Sequence, residues 1–195
     1  MFNDSYDKGI VSEDSISMNL SDSDSMIMTD EKKHWKVIDK IIYADGREEI
    51  REYYNTVVDD CSKLIACLMK AQSGYSGITY WAVGSGASSW DNANPPAPAV
   101  SDTKLTTEVF RKAVTSSNIK FLDASNAETS TVTNKLQIKV TFSETEANGE
   151  LREFALFGGN ATATANSGLM INRKTHGLIY KTSGMRLERT IRLIF

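Results

Sequence analysis

This chain is poor in the side chains that make metal centres and nucleophilic sites. It holds two cysteines and two histidines in 195 residues. Cys61 and Cys67 fall in one predicted helix, where a spacing of six residues places them about 120° from facing each other. A disulfide between them would need the helix broken, so they read as reduced thiols, with Cys61 in the core. With only His34 and His176 to add, no zinc set can be assembled. His176 stands next to Gly177 and is expected in a turn at the surface. There is no G-x-S-x-G elbow, no H-E-x-x-H pair and no phosphate-binding loop. Gly84-Ser85-Gly86 has Ser89 where a dinucleotide turn needs its third glycine, and a proline-rich loop follows instead of a helix. Long apolar runs are also missing. None approaches the ~20 residues of a membrane helix. The acidic N-terminus has no positive region ahead of an apolar one, so no signal peptide is expected. A net charge of −3 supplies no cationic field to draw the chain to nucleic acid or an acidic membrane. Arg186, Arg189 and Arg192 do not make a stripe, because on a strand the first and last share a face and Arg189 takes the other. The carboxylate clusters, Asp59-Asp60 and Glu144 with Glu146, are expected on a helix surface and near a turn, without glycosidase chemistry.

What is present is organised in two parts, an acidic N-terminal arm over residues 1–33 and a β-rich domain over 34–195. The arm carries Asp4, Asp7, Glu13, Asp14, Asp22, Asp24 and Asp30 against a lone Lys8 before Lys32 and Lys33. Such a composition is that of a solvated, disordered segment. Yet Ile16, Met18 and Leu20 alternate with polar residues at the strand period, and Met26, Ile27 and Met28 form a second apolar point. These six are the candidate interface residues of an arm that is loose alone and pairs with a neighbouring subunit; a simple solvated tail is the alternative. The run Asp22-Ser23-Asp24 lacks the glycine and glutamate of a calcium loop.

In the domain, Ile41-Ile42-Tyr43 and Ile50–Tyr54 flank Asp45-Gly46, a hairpin signal, with Glu48 and Glu49 facing solvent. Val57, Cys61, Leu64, Ile65 and Leu68 share one face of a helix predicted over 56–71, capped by Thr56 and covering one face of a sheet. Ile78–Val83 reads as a buried strand with Tyr75, Tyr80, Trp81 and Trp90 crowded around it. These aromatics suit core and hinge packing, and alternatively a sugar-stacking platform. Leu105, Val109 and Ala113 share a helical face, with Glu108 and Arg111 paired across one turn. Ile119–Leu122 and the alternating Leu136–Phe142 are strands, with 123–133 a loop between them. Asn148-Gly149 signals a hairpin into Leu151–Phe157. Leu169–Ile171 and Leu178–Tyr180 read as two strands around a Thr175-His176-Gly177 turn. Leu187, Ile191, Leu193 and Phe195 make the inner face of a last strand. The fold class is therefore mainly β (α+β), a β-sandwich-like domain with one long packed helix and an extended acidic arm.

The order from Gly77 to Lys112 resembles modules in tailed-bacteriophage structural proteins, those of the tail tip where fibres attach. The matching pieces are Ala82-Val83-Gly84-Ser85-Gly86, the Pro95-Pro96-Ala97-Pro98 loop, and Thr103-Lys104-Leu105 with Glu108-Val109-Phe110-Arg111. Glu153–Gly159 resembles the E-x-G-L-F strand that follows in such modules, with Ala155 in place of glycine. The resemblance spans about 54–195. It implies a virion structural protein and no enzyme. The implied role is a baseplate or tail-tip adaptor, or a collar subunit, that attaches fibres or neighbouring tail proteins. It further implies self-association as a trimer or hexamer and contacts with other tail or baseplate proteins, with no cofactor, nucleic acid or membrane. Trp90 joins the arm residues as a candidate interface position. A head decoration or neck protein, or a carbohydrate-binding sandwich using Tyr80, Trp81 and Trp90, are the alternatives.

Overall fold

A computed structural model of the chain describes residues 35–195. Two antiparallel sheets pack face to face. The six-stranded sheet runs β2(Glu48–Tyr54), β1(Lys36–Ile42), β11(Arg186–Ile194), β8(Lys135–Phe142), β6(Ile119–Leu122), β7(Glu128–Thr129). The five-stranded sheet runs β3(Thr56–Val57), β10(Leu169–Lys181), β9(Gly149–Gly159), β4(Ser76–Gly84), β5(Glu108–Ala113). One helix, α1(Asp59–Met69), lies mainly against β10. Among the described residues no helix is long and apolar enough to cross a membrane.

The core follows from strand alternation. Val37 and Ile41 of β1, Ile138, Val140 and Phe142 of β8, and Leu187, Ile191 and Leu193 of β11 point inward from the first sheet. Trp81, Val83, Phe154, Leu156, Ile171 and Ile179 meet them from the second. Trp81, Phe154 and Phe142 are fully buried, and each such side chain contributes roughly 1.5–3 kcal/mol on leaving water. The five-stranded sheet is covered on its outer face too. There Ala82, Ala155, Phe157 and Met170 pack under Leu105 from the long β4–β5 loop, with Val58. Burial on both faces explains why Leu151–Gly159 is buried at every position instead of at every second one.

The Asp45-Gly46 hairpin forms as expected. Gly46 takes φ +83° and donates to Tyr43 O at 3.0 Å. Glu48 is exposed, whereas Glu49 is drawn to Tyr43 Oη at 2.5 Å and Arg51 Nε at 2.6 Å. The helix is shorter than the pattern suggested. Thr56 and Val57 pair with Arg173 and Asn172 as an edge strand, and Val58 occupies the cap position with no side-chain cap. The helix covers the five-stranded sheet, as expected: it packs on β10, β4 and β9, and Cys61 and Leu64 join the main core, while Leu68 is exposed. Asp59 and Asp60 sit in its first turn, where the helix dipole favours acids.

Four stretches differ from the sequence reading. Residues 108–113 form strand β5, not a helix. Glu108 and Arg111 still meet, because Val109 is an extra residue opposite β4: Val83 pairs with Phe110 and Gly84 with Glu108. That bulge brings residues three apart onto one side. Asn148-Gly149 does not make a hairpin: Gly149 opens β9, and a turn closed by Glu146 N donating to Ser143 O carries the chain from β8 in one sheet to β9 in the other. Residues 169–181 are one strand and not two. Between Thr175–Glu153 and Ile179–Leu151, the three residues His176-Gly177-Leu178 stand opposite Arg152 alone. This three-residue bulge stands where the sequence suggests a turn. Finally, the 123–133 loop holds the short strand β7.

Candidate functional site

Two clusters of buried charge flank the same stretch of β9 and β10. The inner one lies between the sheets. Asp39 of β1 and Arg189 of β11 are register partners. Each occupies the inward phase of its strand, Asp39 between Val37 and Ile41, Arg189 between Leu187 and Ile191. Two parallel bonds join them, Nε to Oδ1 at 2.9 Å and Nη2 to Oδ2 at 2.8 Å, and neither side chain has any exposed surface. Arg189 Nη2 also approaches His176 Nε2 at 2.8 Å, and its guanidinium lies 4.4 Å from the Phe154 ring centre. A guanidinium only donates, so His176 Nε2 accepts. The proton is then on Nδ1, which donates to Gly177 O at 2.8 Å. The imidazole stacks on Tyr53, centroids 5.5 Å apart.

The electrostatics follow from burial. Loss of water, then the Arg189 charge, hold the His176 pKa well below the ordinary histidine value. Asp39 is pushed up by burial, against the opposing pull of Arg189. Tyr53 is raised to about 12, by burial first and by the Asp39 charge second. The cluster therefore holds a neutral imidazole and a high-pKa phenol around a bidentate ion pair. With His176 at 3% exposure and the pair at zero, no substrate reaches it. The arrangement ties β1, β10 and β11 together across the sandwich.

The outer cluster lies under the β4–β5 loop. Glu153 is fully buried. Its carboxylate accepts from Thr107 N at 2.9 Å, Thr106 N at 3.1 Å and Arg173 Nη2 at 2.5 Å. Arg173 also donates to Asp102 Oδ2 at 2.8 Å and Thr106 Oγ1 at 2.6 Å. Farther along, Thr175 Oγ1 donates to Pro96 O at 2.7 Å, and Arg152 donates to Asn92 Oδ1 and Ser85 O. Gly84 is required here. A Cβ on it would sit 2.5 Å from Thr107 O and 2.7 Å from Glu153 Oε1. The proline-rich loop is thus clamped to β9 and β10 by charge-assisted bonds, the strong class. A third lock holds the β9–β10 loop: Arg111 binds Glu108 in two bonds and reaches Thr162 O and Ser167 O.

Of the residues singled out from sequence, Ile16, Met18, Leu20, Met26, Ile27 and Met28 lie outside the described residues. Trp90 is half-buried; its ring lies over Gly86, with the Arg173 guanidinium 5.9 Å from its centre. It packs the loop onto the outer cluster. Trp81 is sealed in the core against Phe154, while Tyr80 faces the outer layer beside Arg111. The three aromatics form no common platform for a sugar. Cys61 and Cys67 are free thiols, and burial raises Cys61 to about 11. Among the described residues no group of three or more His, Cys, Asp or Glu is placed to hold a metal. Arg186 and Lys139 both pair with Glu188, and Glu153 is taken by Arg173. His176 is corrected from a surface turn residue to a buried member of β10.

The buried charges were missed by sequence reasoning, though a signal existed. Asp39 and Arg189 each interrupt the apolar phase of an alternating strand, so each had to be inside and to need a partner. Comparisons with protein-family models, with curated proteins and with solved structures return no match.

Proposed function

We propose that the chain is a non-enzymatic structural protein of a tailed-bacteriophage virion. In this reading it is a baseplate or tail-tip adaptor, or a collar subunit, that self-associates and attaches fibres or neighbouring tail proteins. The observation that carries the reading is where the charges of β9 and β10 go. Glu153, Arg173 and Arg152 of these strands, with Arg189 of β11, are spent on internal bonds that lock a loop or a sheet, and Glu153 and Arg189 open to no solvent. A subunit that transmits contacts between neighbours needs such rigidity. The matching segments of the resemblance, the Gly84–Gly86 turn, the proline loop and the Glu153–Gly159 strand, are the ones these locks join. The acidic arm supplies reach to a neighbour, and its alternating Ile16, Met18 and Leu20 suit strand addition or groove filling.

The test is localisation. Antibody labelling of whole particles, followed by a cryo-electron map, should place the protein at the tail tip or collar. Labelling confined to the head, or its absence from purified particles, would defeat the reading. A companion assay against peptidoglycan or capsular polysaccharide should yield no product. Product that vanishes on a single carboxylate substitution would overturn the non-enzymatic part.

A further inference from the structure

At one end of the six-stranded sheet lies a groove of about 300 Å³. Trp35, Tyr54, Leu122, Leu193 and Ile194 line it, and Tyr54 and Ile194 leave 64% and 42% of their surface open. Around this apolar lining stand three cations, Lys36, Lys135 and Arg192. Lys36 is held by Glu52 at 2.9 Å. Among the described residues, the Arg192 side chain reaches only the neutral Gln137, at 3.3 Å. Lys135 acts on Asp123 through its field, without a direct ion pair among the described residues. The groove thus keeps a surplus of positive charge in a protein of net charge −3.

The complement is in the same sequence. Met26-Ile27-Met28 is an apolar point flanked by Asp22, Asp24, Asp30 and Glu31. Met side chains adapt to irregular apolar surfaces. We propose that the groove receives residues 22–31 of a second copy of this chain, with Met26–Met28 on the apolar lining and the flanking acids facing Lys135 and Arg192. The proposal deepens the assembly reading above and rests on it for the identity of the donor. Trp35 itself lines the groove, so the chain's own segment could enter only by reversing within 29–34, whereas the segment of a second copy meets no such constraint. A contact passed from each copy to the next is heterologous and closes into a ring when the rotation allows.

The test uses the full chain and charge exchange. One variant carries Lys135→Glu with Arg192→Glu; a second carries Asp22→Lys with Asp24→Lys. Each alone should weaken self-association in sedimentation by about tenfold, the equivalent of roughly 1.4 kcal/mol, with unchanged melting temperature. An equal mixture of the two should recover the association, because the reversed groove of one then faces the reversed segment of the other. Association that is unchanged in the single variants, or unrecovered in the mixture, overturns the proposal. So does protection of residues 22–31 from hydrogen exchange in a species that sediments as a monomer. Virion labelling is an independent readout, so loss of the docking site and loss of the tail-tip assignment can be told apart.

Discussion

The outer faces of the two sheets use the same ion-pair chemistry under opposite exposure. On the six-stranded sheet, Lys36–Glu52 and Lys40–Glu48 are lysine pairs with side chains 37–55% exposed. On the five-stranded sheet, Arg173–Glu153 and Arg111–Glu108 are arginine pairs with side chains at 9% exposure or less. Water solvates the first set, so a single contact suffices. In the second, every lone pair that leaves water needs a replacement. Glu153 finds two backbone amides beside its arginine, and Arg111 finds two carbonyls beside its glutamate. A planar fork of five donors can serve such a site, and an ammonium cannot in the same way. Where a charge is covered, it belongs to a network.

The contrast can be broken hardest inside the sandwich. Asp39→Ala leaves Arg189 charged and unpaired at zero exposure, and should cost about 3–5 kcal/mol in denaturant unfolding. The double variant Asp39→Leu/Arg189→Met should regain most of that loss. If it is no more stable than the single variant, the pair is not the source of the effect. Next, Glu153→Gln should cost about 2–3 kcal/mol and speed hydrogen exchange at the Thr106 and Thr107 amides while leaving β11 protected. Exchange spread evenly over the fold would argue against a local clamp.

A smaller effect separates by pH. Folded His176 stays neutral where the unfolded imidazole takes up a proton, below about pH 6.5. The unfolded state then binds more protons, so stability should fall as pH drops through 6.5, by up to about 1.4 kcal/mol per pH unit. Asp39 acts with the opposite sign. Its raised pKa makes the folded state the better proton binder just above the usual carboxylate range, which offsets part of the loss there. His176→Gln should flatten the slope between pH 6.5 and 5, and an unaltered slope would place its origin elsewhere. The smallest change is on the open face. Lys40→Ala should shift stability by about 0.5 kcal/mol or less, and the difference should shrink further in high salt.

The parts of this fold that were legible in the sequence are those set by neighbouring residues. Asp45-Gly46 specifies its hairpin through one glycine at positive φ, and the alternation of Leu136–Phe142 specifies a strand with one wet face. The failures share a cause. At 108–113 and at 176–178 a bulge changes the spacing of side chains, and a bulge depends on a partner strand that sequence order does not name. A spacing of three between Glu108 and Arg111 suits a helix equally well. His176 beside Gly177 suits a turn equally well. The Asn148-Gly149 signal falls just after the turn, which is closed at Ser143–Glu146, and is silent about which sheet receives the next strand. Asp39 and Arg189 are 150 positions apart; their inward phase was readable, and their pairing was not.

The register of β1 with β11 has a mechanical consequence. Lys36 lies opposite Arg192, and the rings of Trp35 and Phe195 stand 5.7 Å apart. Tension applied between residues 35 and 195 would therefore peel the two strands apart rung by rung from that end, loading one backbone bond at a time. Force applied instead to the clamped loop over β9 and β10 would load many bonds at once.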